Sequence, residues 1–447
     1  MVVFISTNLY GLGRIYTTME KKEIFKYIIK EFHETALPGL YERKLQIPDT
    51  KKIISLIGSR RVGKTFYFYQ LINNLIDNEI NPEQILYLNF EDDRVLPIST
   101  AELNGIIEAY YELYPEQIKN TVYFFFDEIQ NIDGWELFIR RIHDRKNIKI
   151  FVTGSSSKLL SREIATSLRG RTLSYYLYPL SFEEFLKFKQ ISLVKDFEYT
   201  SMRFKIKQLF NEYLYTGGFP EIVLESEQLR RPILQNYFEM LIYRDLVERF
   251  SIRNITLLKN LVKFLITNIS TTFSVNSYFK TIKKDTAVGK DTLLEYISYL
   301  EDINLIHLIP FFSYSLKRQQ VNPRKVYCVD NGLRNAVSFR FSKDEGRLAE
   351  NLVFLELKRR DKEPYYWKNK GEVDFIVKNE DNSLIAINVS YGDWIDEREI
   401  RALLEFSKEF TPRIGRLILL TKDIEKKEES IEFLPLWKWL INQDQVL

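Results

Sequence analysis

Short apolar runs alternate with amphipathic segments along the first 180 residues. The runs are rich in β-branched and aromatic residues, and the segments between them carry apolar residues at helical spacing. The runs that we predict as strands are 53–58, 84–92, 122–128, 148–155 and 171–180. Because these strands are apolar on both faces, the pattern predicts an α/β fold with a parallel sheet that helices cover on both sides.

The pattern changes after Pro179. Residues 181–250 read as mostly helical, with a turn at 216–220, and 255–310 hold three amphipathic helices. A β-hairpin is predicted over 310–330. The remaining predicted elements are a helix at 345–360, strands at 364–368, 372–378 and 384–391, a helix at 396–409, a strand at 415–421 and a terminal helix.

Composition narrows the classes of protein that fit this pattern. The chain has 447 residues, of which 45% are hydrophobic and 28% are charged, as in globular domains. The net charge of +3 creates no strong field over the whole chain, so any nucleic-acid binding must come from a local patch. The single cysteine, Cys328, excludes an internal disulfide, and the three scattered histidines argue against a structural zinc site.

No targeting or membrane segment is evident from the sequence. No apolar run approaches the roughly 20 residues needed to cross a bilayer. The apolar N-terminus lacks a basic region and a cleavage site, so it does not read as a signal peptide. We therefore expect a cytoplasmic protein whose native start is either Met1 or Met19.

The motif GSRRVGKT follows the first strand and opens a helix. Its glycines allow the backbone N–H groups to approach phosphates, and the start of the helix favours negative charge. Lys64 is expected to reach the β- and γ-phosphates of ATP, while the Thr65 hydroxyl coordinates Mg²⁺. The predicted nucleotide-binding residues are Gly58, Ser59, Arg60, Arg61, Val62, Gly63, Lys64 and Thr65.

A second acidic motif ends the strand at 122–128. Asp127 is predicted to hold the Mg²⁺ shell, and Glu128 to polarise a water molecule for attack on the γ-phosphate. The alternative is a strand that merely ends in solubilising acids. The phosphate-binding motif some 60 residues earlier makes the catalytic interpretation the better one.

Further catalytic candidates follow the next strand. Ser155 or Thr153 could orient the attacking water, and we assign this role to Ser155, although serine-rich turns are also common without any role. Arg169 and Arg171 could stabilise charge on the γ-phosphate, in the same chain or in a neighbouring subunit. Surface ion pairs are the alternative explanation for these arginines.

Residues 51–250 resemble archaeal and bacterial AAA+-type ATPases of the additional-strand catalytic-glutamate division. The resemblance is carried by GSRRVGKT, FFFDEIQNIDGWE, VTGSSSKLLS, LRGR, YPLSFEEFL and YTGGFPE, in that order. It implies that the phosphate-loop strand lies next to the strand ending at 155, and that a helical lid follows the sheet.

Residues 255–330 fit a winged-helix module, which either binds DNA or serves only in protein packing. Acidic residues dilute its basic charge, and both uses stay open. The basic residues in question are Lys280, Lys283, Lys284, Lys290, Lys317, Arg318 and Arg324.

Residues 345–447 resemble the domain of unknown function that accompanies these ATPases and has the fold of PD-(D/E)XK nucleases. The resemblance implies Glu350 and Asp374 as metal-binding acids, but Asn388 and Ser390 stand where Glu-x-Lys is needed. Glu372 is expected to point to the opposite face of its strand. We therefore predict an inactive nuclease-like domain that is retained for binding or structure.

Together these observations predict five regions and one leading function. The regions are an N-terminal extension (1–50), an ATPase core (51–180), a helical lid (181–254), a winged helix (255–340) and a nuclease-like domain (341–447). The leading hypothesis is an ATP- and Mg²⁺-dependent ATPase that acts as a switch or motor on DNA or on a protein partner. The alternatives are a regulatory scaffold that hydrolyses ATP slowly and, less favoured, a Mg²⁺-dependent nuclease.

Overall fold

A computed structural model describes residues 20–145, 147–154, 168, 170–283, 288–338 and 344–441. The chain forms two compact units. The first holds the residues up to Gly58 together with Gly63–Leu177, and the second holds Ser59–Val62 together with Tyr178–Leu447. The predicted candidates Ser155, Arg169 and Lys284 lie outside the described residues.

The first unit alternates strands and helices as the apolar pattern predicts. Its elements are α1 (Lys21–Glu34), β1 (Ile53–Ile57), α2 (Lys64–Asp77), β2 (Ile85–Asn89), α3 (Asn104–Leu113), β3 (Val122–Asp127), α4 (Trp135–His143), β4 (Ile148–Gly154) and β5 (Thr172–Tyr176). Every residue of β1 and β3 is buried, which is the pattern of strands covered on both faces.

The five strands of this unit form one parallel sheet in the order β2-β3-β4-β1-β5. Strand β4 therefore lies between β1, which precedes the phosphate-binding motif, and β3, which ends in Asp127. This confirms the neighbour relation that the family resemblance implied. Because the strands are parallel, the carboxyl ends of β1, β3 and β4 meet at one edge of the sheet, where ligands bind in open α/β sheets.

The second unit begins with a helical region. Its elements are α5 (Phe182–Phe188), α6 (Met202–Thr216), α7 (Pro220–Leu224), α8 (Glu227–Met240) and a π-helix (Leu241–Glu248). Helix α5 starts at a capping box, in which the Ser181 hydroxyl accepts from the Glu184 N–H and the Glu184 carboxylate accepts from the Ser181 N–H.

A small antiparallel sheet follows the helical region. The elements are α9 (Ile255–Thr267), β6 (Thr272–Phe273), α10 (Val275–Ile282), α11 (Lys290–Asp302), β7 (Ile306–Ile309), α12 (Leu316–Val321) and β8 (Arg324–Cys328), with sheet order β6-β8-β7. The three predicted helices are present. The predicted hairpin over 310–330 is wrong in its boundaries, since β8 pairs with β7 and the short helix α12 lies between them.

The C-terminal part of the second unit contains a six-stranded mixed sheet. After α13 (Asn331–Val337), its elements are α14 (Glu345–Arg359), β9 (Pro364–Lys368), β10 (Glu372–Lys378), β11 (Leu384–Ser390), α15 (Glu397–Phe410), β12 (Ile414–Thr421), β13 (Lys426–Glu428), β14 (Ile431–Pro435) and α16 (Leu436–Ile441). The strand order is β13-β14-β12-β11-β10-β9. Strand β13 was missed because the segment 422–430 is charged and has no apolar alternation, and β14 was missed because its five residues run directly into the terminal helix α16.

A buried polar contact explains the glycines of the TGGFP turn. Gly217 has a φ of +74°, and a Cβ atom there would clash with the carboxylate of Asp330. The Asp330 carboxylate accepts from the N–H groups of Gly218 (2.7 Å) and Leu333 (2.9 Å). The turn is thus fixed to the end of β8, so its glycines serve packing within the second unit.

In the part of the chain that the structure describes, no helix is long and apolar enough to cross a membrane.

Candidate functional sites

The phosphate-binding motif forms a turn between β1 and α2. Gly63 directly precedes the first turn of α2 with a φ of 93°, a conformation that favours glycine. Arg61 also has a positive φ, of 69°. Helix α2 begins at Lys64, so its free N–H groups lie at the start of the helix, where anions bind.

Lys64 is buried at the base of this turn. Its ammonium donates to the backbone carbonyl of Gly58 (3.2 Å) and lies 3.7 Å from Oε1 of Glu128. Its side chain is only 4% exposed. The motif therefore holds the lysine against its own loop, in contact with the acid that sequence analysis assigned as the catalytic base.

Asp127 is the buried centre of the site. Its Oδ2 accepts from the hydroxyls of Thr65 (2.7 Å) and Tyr87 (3.0 Å), and its Oδ1 accepts from the hydroxyl of Thr153. Burial raises the pKa of Asp127, whereas the Thr153 and Thr65 hydroxyls act to lower it. Tyr87 and Thr153 add contacts that the two sequence motifs alone did not reveal, although Thr153 was considered for a role here.

Glu128 leaves the strand in a left-handed conformation, with a φ of 51°. Consecutive residues of a strand point to opposite faces, so this turn allows Asp127 and Glu128 to approach the same loop. The Glu128 N–H donates to Thr153 Oγ1 (2.9 Å), and the Gln130 amide donates to Glu128 Oε2 (2.5 Å). Thr153 thus bridges Asp127 and the backbone of Glu128.

The tip of the motif, residues 59–62, belongs to the second unit. There Arg60 forms a two-point ion pair with Asp245 of the π-helix, with distances of 3.1 and 3.3 Å. Arg61 lies 3.9 Å from the Glu221 carboxylate, at the more exposed side of the tip. These arginines are therefore engaged by acids of the helical region.

Of the two arginine candidates, Arg169 lies outside the described residues, whereas Arg171 is described. Arg171 lies beside the start of β1, where its carbonyl accepts from the Ile53 N–H (2.9 Å), and its side chain pairs with Asp144 (3.1 Å). This is the edge of the sheet opposite the phosphate-binding motif. The structure thus corrects the assignment of Arg171 to the γ-phosphate of its own chain, and a role toward a neighbouring subunit stays a prediction.

The donor set at the carboxyl ends of β1 and β3, beside the phosphate-binding motif, fits ATP and Mg²⁺. The hydroxyl of Thr65 and the carboxylate of Asp127 are hard oxygen ligands of the kind that Mg²⁺ prefers, and they lie 2.7 Å apart. The loop and the N-terminus of α2 supply N–H groups for phosphates, and Lys64 supplies a positive charge at the same place. These residues would hold the nucleotide and its metal.

A second group of acids surrounds a lysine in the C-terminal part of the chain. The Lys325 ammonium lies 2.8 Å from Glu350 Oε1, 2.9 Å from Glu372 Oε1 and 2.8 Å from Asp374 Oδ1. We call Glu350, Glu372, Asp374 and Lys325 the acidic pocket. Residues i and i+2 of a strand share a face, so Glu372 joins Asp374 at Lys325, although sequence analysis did not count Glu372 among the metal-binding acids.

Lys325 was missed by sequence analysis. It lies on β8 between exposed Arg324 and buried Val326, and its side chain is 1% exposed. A charged residue in a short strand gives no sequence signal of burial. The only available hint is its spacing of two from Tyr327, whose hydroxyl donates to Glu350 Oε1 (2.6 Å).

Asn388 and Ser390 do not supply a further carboxylate and a lysine. The Asn388 side chain instead accepts from the Asp374 N–H (2.9 Å) and donates to Glu399 Oε2 (2.8 Å). Burial, followed by the charge of Asp374, raises the pKa of Glu399 to about 7. Among the described residues, no group of three or more His, Cys, Asp or Glu side chains could hold a metal ion.

Comparison with protein families divides the chain into three matched segments. An AAA domain matches residues 50–186, which include the phosphate-binding motif and Asp127. Two domains of unknown function, DUF8612 and DUF4143, match residues 207–344 and 345–439. The chain therefore carries an AAA-type P-loop domain, followed by two segments whose family descriptions state no function.

Two relatives are similar to this chain over nearly its full length. An uncharacterized protein of Methanocaldococcus jannaschii, MJ1544, is 38% identical over 95% of this chain and 97% of its own. The chain belongs to the family of this archaeal protein. An uncharacterized protein of Haemophilus influenzae is 28% identical over 90% of this chain and 97% of its own, so similar sequences occur in both archaea and bacteria.

Solved structures give a weaker likeness. A Walker-type ATPase of Pyrococcus abyssi is 14% identical, with a TM-score of 0.41, over 71% of this chain and 95% of its own. The ORC2 protein of Aeropyrum pernix is also 14% identical, with a TM-score of 0.38, over 76% of this chain and 94% of its own. At these TM-scores, the likeness carries no weight for the function of this family member.

Proposed function

We propose that this protein is a Mg²⁺-dependent ATPase that works as a nucleotide-driven switch or motor. The observation that carries the proposal is the convergence of Lys64, Thr65, Asp127 and Glu128 at one edge of the first sheet. Lys64 and Thr65 follow β1, whereas Asp127 ends β3 and Glu128 comes directly after it. Strands β1 and β3 are not neighbours in the sheet, since β4 lies between them. The P-loop domain accounts for nucleotide binding, and the pair of acids supports hydrolysis.

The residues have separate roles in this mechanism. The loop and Lys64 bind and orient the phosphates, while Thr65 and Asp127 hold the metal shell. Mg²⁺ held by Thr65 and Asp127 would supply positive charge to offset the negative charge of the phosphates. Glu128 accepts a proton from the attacking water, and Thr153 fixes the direction of Glu128 by its contact with the Glu128 N–H.

The test of hydrolysis is the substitution Glu128→Gln. Loss of a general base lowers turnover by about 10²–10⁴-fold, whereas the uncharged amide leaves ATP affinity intact. Turnover and binding of a fluorescent ATP analogue are measured on the same protein. Glu136→Gln, in the first turn of α4, is the matched control and keeps the unsubstituted rate.

The alternative function is a regulatory scaffold that binds ATP and hydrolyses it slowly. In that case the unsubstituted protein has little turnover, and Glu128→Gln changes it by less than about tenfold. The carbonyl and carboxylate contacts of Lys64 are compatible with both functions. The hydrolysis experiment therefore decides between them.

We further propose that the region 255–330 is a winged helix that contacts DNA. Its order of helix, strand, two helices and two strands supports this assignment. Lys280, Lys290 and Arg324 are exposed there, and a cleft of about 310 Å³ that Lys290 and Arg324 line also contains the acid Glu301. This basic surface favours a nucleic acid partner, and the acid explains why the patch is modest.

Salt dependence tests the DNA proposal. When a basic patch binds DNA, the logarithm of the binding constant falls linearly with the logarithm of the salt concentration, with a slope of about −0.9 per phosphate contact. We expect the double substitution Lys280→Ala with Arg324→Ala to reduce the magnitude of this slope by the amount that corresponds to about two phosphate contacts. Lys119→Ala with Lys195→Ala, at exposed positions elsewhere, is the control. If the protein does not bind DNA, or binds it without salt dependence, a protein partner is favoured for this region.

A nuclease function has no support from the acidic pocket. The Asn388 amide bonds to the Asp374 N–H and to Glu399 instead of supplying a carboxylate, and among the described residues no group of three or more His, Cys, Asp or Glu side chains could hold a metal ion. The restoring pair Asn388→Glu with Ser390→Lys tests the remaining possibility through Mg²⁺-dependent DNA cleavage. Cleavage by the unsubstituted protein contradicts our interpretation.

A further inference from the structure

We propose that the ammonium of Lys325 occupies the place of a divalent metal ion in the acidic pocket, so that this pocket is closed to metals by the chain itself. The acids come from α14 and β10, and the lysine comes from β8 of the small sheet. The inference concerns only residues of the second unit and is independent of ATP hydrolysis.

The contact distances identify Lys325 as the bound cation. An ammonium group has three N–H donors, and Lys325 has one carboxylate at 2.8–2.9 Å for each of them. These are the distances of charge-assisted N–H···O bonds. A Mg²⁺ ion requires oxygens at 2.0–2.1 Å around a common centre, and the ammonium already lies at that centre.

Two of the remaining oxygens of the pocket accept hydrogen bonds from protein groups. The Val389 N–H donates to Asp374 Oδ2 (2.9 Å), and the Lys368 ammonium donates to Glu372 Oε2 (2.9 Å). The Tyr327 hydroxyl donates to Glu350 Oε1, the oxygen that Lys325 also contacts. Buried charges are stable only when they are paired and hydrogen-bonded, and the carboxylates of Asp374 and Glu372 meet this condition with protein groups alone.

The carboxylates of the pocket keep Lys325 in its charged form. Burial by itself would lower the pKa of Lys325, but Asp374 and Glu350 raise it well above its ordinary value, so the lysine stays charged. Burial and the charge of Asp374 raise the pKa of Glu350 to about 8.

Lys325 is also held in place by its strand. Residue 325 pairs with Thr272 and Ile309 in the small sheet, and the Asn351 side chain of α14 bonds to both backbone groups of Cys328 on the same strand. The backbone of Lys325 is therefore fixed beside the pocket. Removal of its charge is the direct way to vacate the cation position.

The experiment measures Mn²⁺ binding by electron paramagnetic resonance in nucleotide-free protein. All variants carry Asp127→Asn, which removes the metal ligand of the nucleotide site. Lys325→Met keeps the length of the side chain and removes its charge, so we expect Mn²⁺ affinity to rise by at least about tenfold. Adding Asp374→Asn is expected to abolish this gain, and Lys378→Met, on the exposed end of β10, is the matched control.

Two results would overturn the inference. One is Asp374-dependent Mn²⁺ binding by protein that retains Lys325, and the other is a folded Lys325→Met variant that gains no Mn²⁺. If Lys325→Met does not fold, Mn²⁺ binding is compared between two proteins that both retain Lys325, one with Asp374 and one with Asp374→Asn. Equal Mn²⁺ binding by these two proteins supports the inference, and weaker binding after Asp374→Asn contradicts it.

Discussion

The nucleotide site and the acidic pocket use the same residue types in opposite ways. Each has a buried lysine beside carboxylates, Lys64 with Glu128 and Lys325 with three acids. At the nucleotide site the lysine lies 3.7 Å from the acid, and Asp127 is bonded to hydroxyls that can also coordinate a metal. In the acidic pocket the lysine itself contacts one oxygen of each acid.

This comparison shows that a list of charged residues does not define a metal site. What matters is whether the acids accept from neutral groups, which leave room for an incoming cation, or from a permanent cation of the chain. Hydroxyls tolerate the addition of Mg²⁺ because their oxygens are themselves ligands. An ammonium has no lone pair and competes with the metal for the same oxygens.

The largest expected effect on function is at the nucleotide site. Lys64→Ala removes the charge that meets the phosphates, and each charge-assisted bond contributes about 1.5–3 kcal/mol. We expect ATP affinity to fall by about a hundredfold or more, measured by equilibrium binding of a labelled nucleotide. Lys119→Ala, an exposed lysine of the first unit, serves as the control, and retained affinity in Lys64→Ala would contradict the assignment.

The next effect is at the acidic pocket and concerns stability. Lys325→Met in metal-free buffer leaves buried carboxylates without their cation, which costs about 3–5 kcal/mol. The measurement is amide hydrogen exchange of β8 and α14 in the full chain. Lys378→Met is expected to change stability by less than about 0.5 kcal/mol. Equal stability of the two variants would show that the pocket does not need its internal cation.

A smaller effect tests the hydroxyl that distinguishes the nucleotide site. Thr153→Val keeps the side-chain shape but removes the donor to Asp127 and the acceptor for the Glu128 N–H. An unsatisfied buried group costs about 1–3 kcal/mol, so turnover is expected to fall by roughly ten- to a hundredfold while ATP still binds. Thr121→Val, just before β3, is the control, and an unchanged turnover would exclude Thr153 from the catalytic arrangement.

The last prediction tests the packing of the TGGFP turn in the second unit. Gly217→Ala places a Cβ atom against Asp330 at a φ of +74°, and we expect it to destabilise the second unit by about 1–3 kcal/mol. Gly346→Ala is the matched control because no atom lies within 4 Å of its new Cβ, and alanine favours helix α14 by about 0.5–1 kcal/mol. Thermal unfolding distinguishes the two, and a neutral Gly217→Ala would remove the packing explanation of the TGGFP turn.

The sequence by itself determined the elements that depend on local pattern. Apolar runs predicted the strands of the first sheet, most clearly β1 and β3, because a strand buried on both faces needs apolar residues throughout. The glycines and Lys64 of the phosphate-binding motif predicted both a turn and a chemistry, since their roles depend on neighbours in the chain. The acids at 127 and 128 were recognisable for the same reason.

Only the tertiary structure decided which distant residues meet. It placed Thr153 on Asp127, Arg171 at the far edge of the sheet, and Lys325 among acids that follow it by 25–49 positions in the chain. Such meetings depend on strand order and register, and neither leaves a local signal in composition or periodicity. The chemistry of the nucleotide site is therefore legible in the sequence, whereas the closure of the acidic pocket is a property of the folded chain.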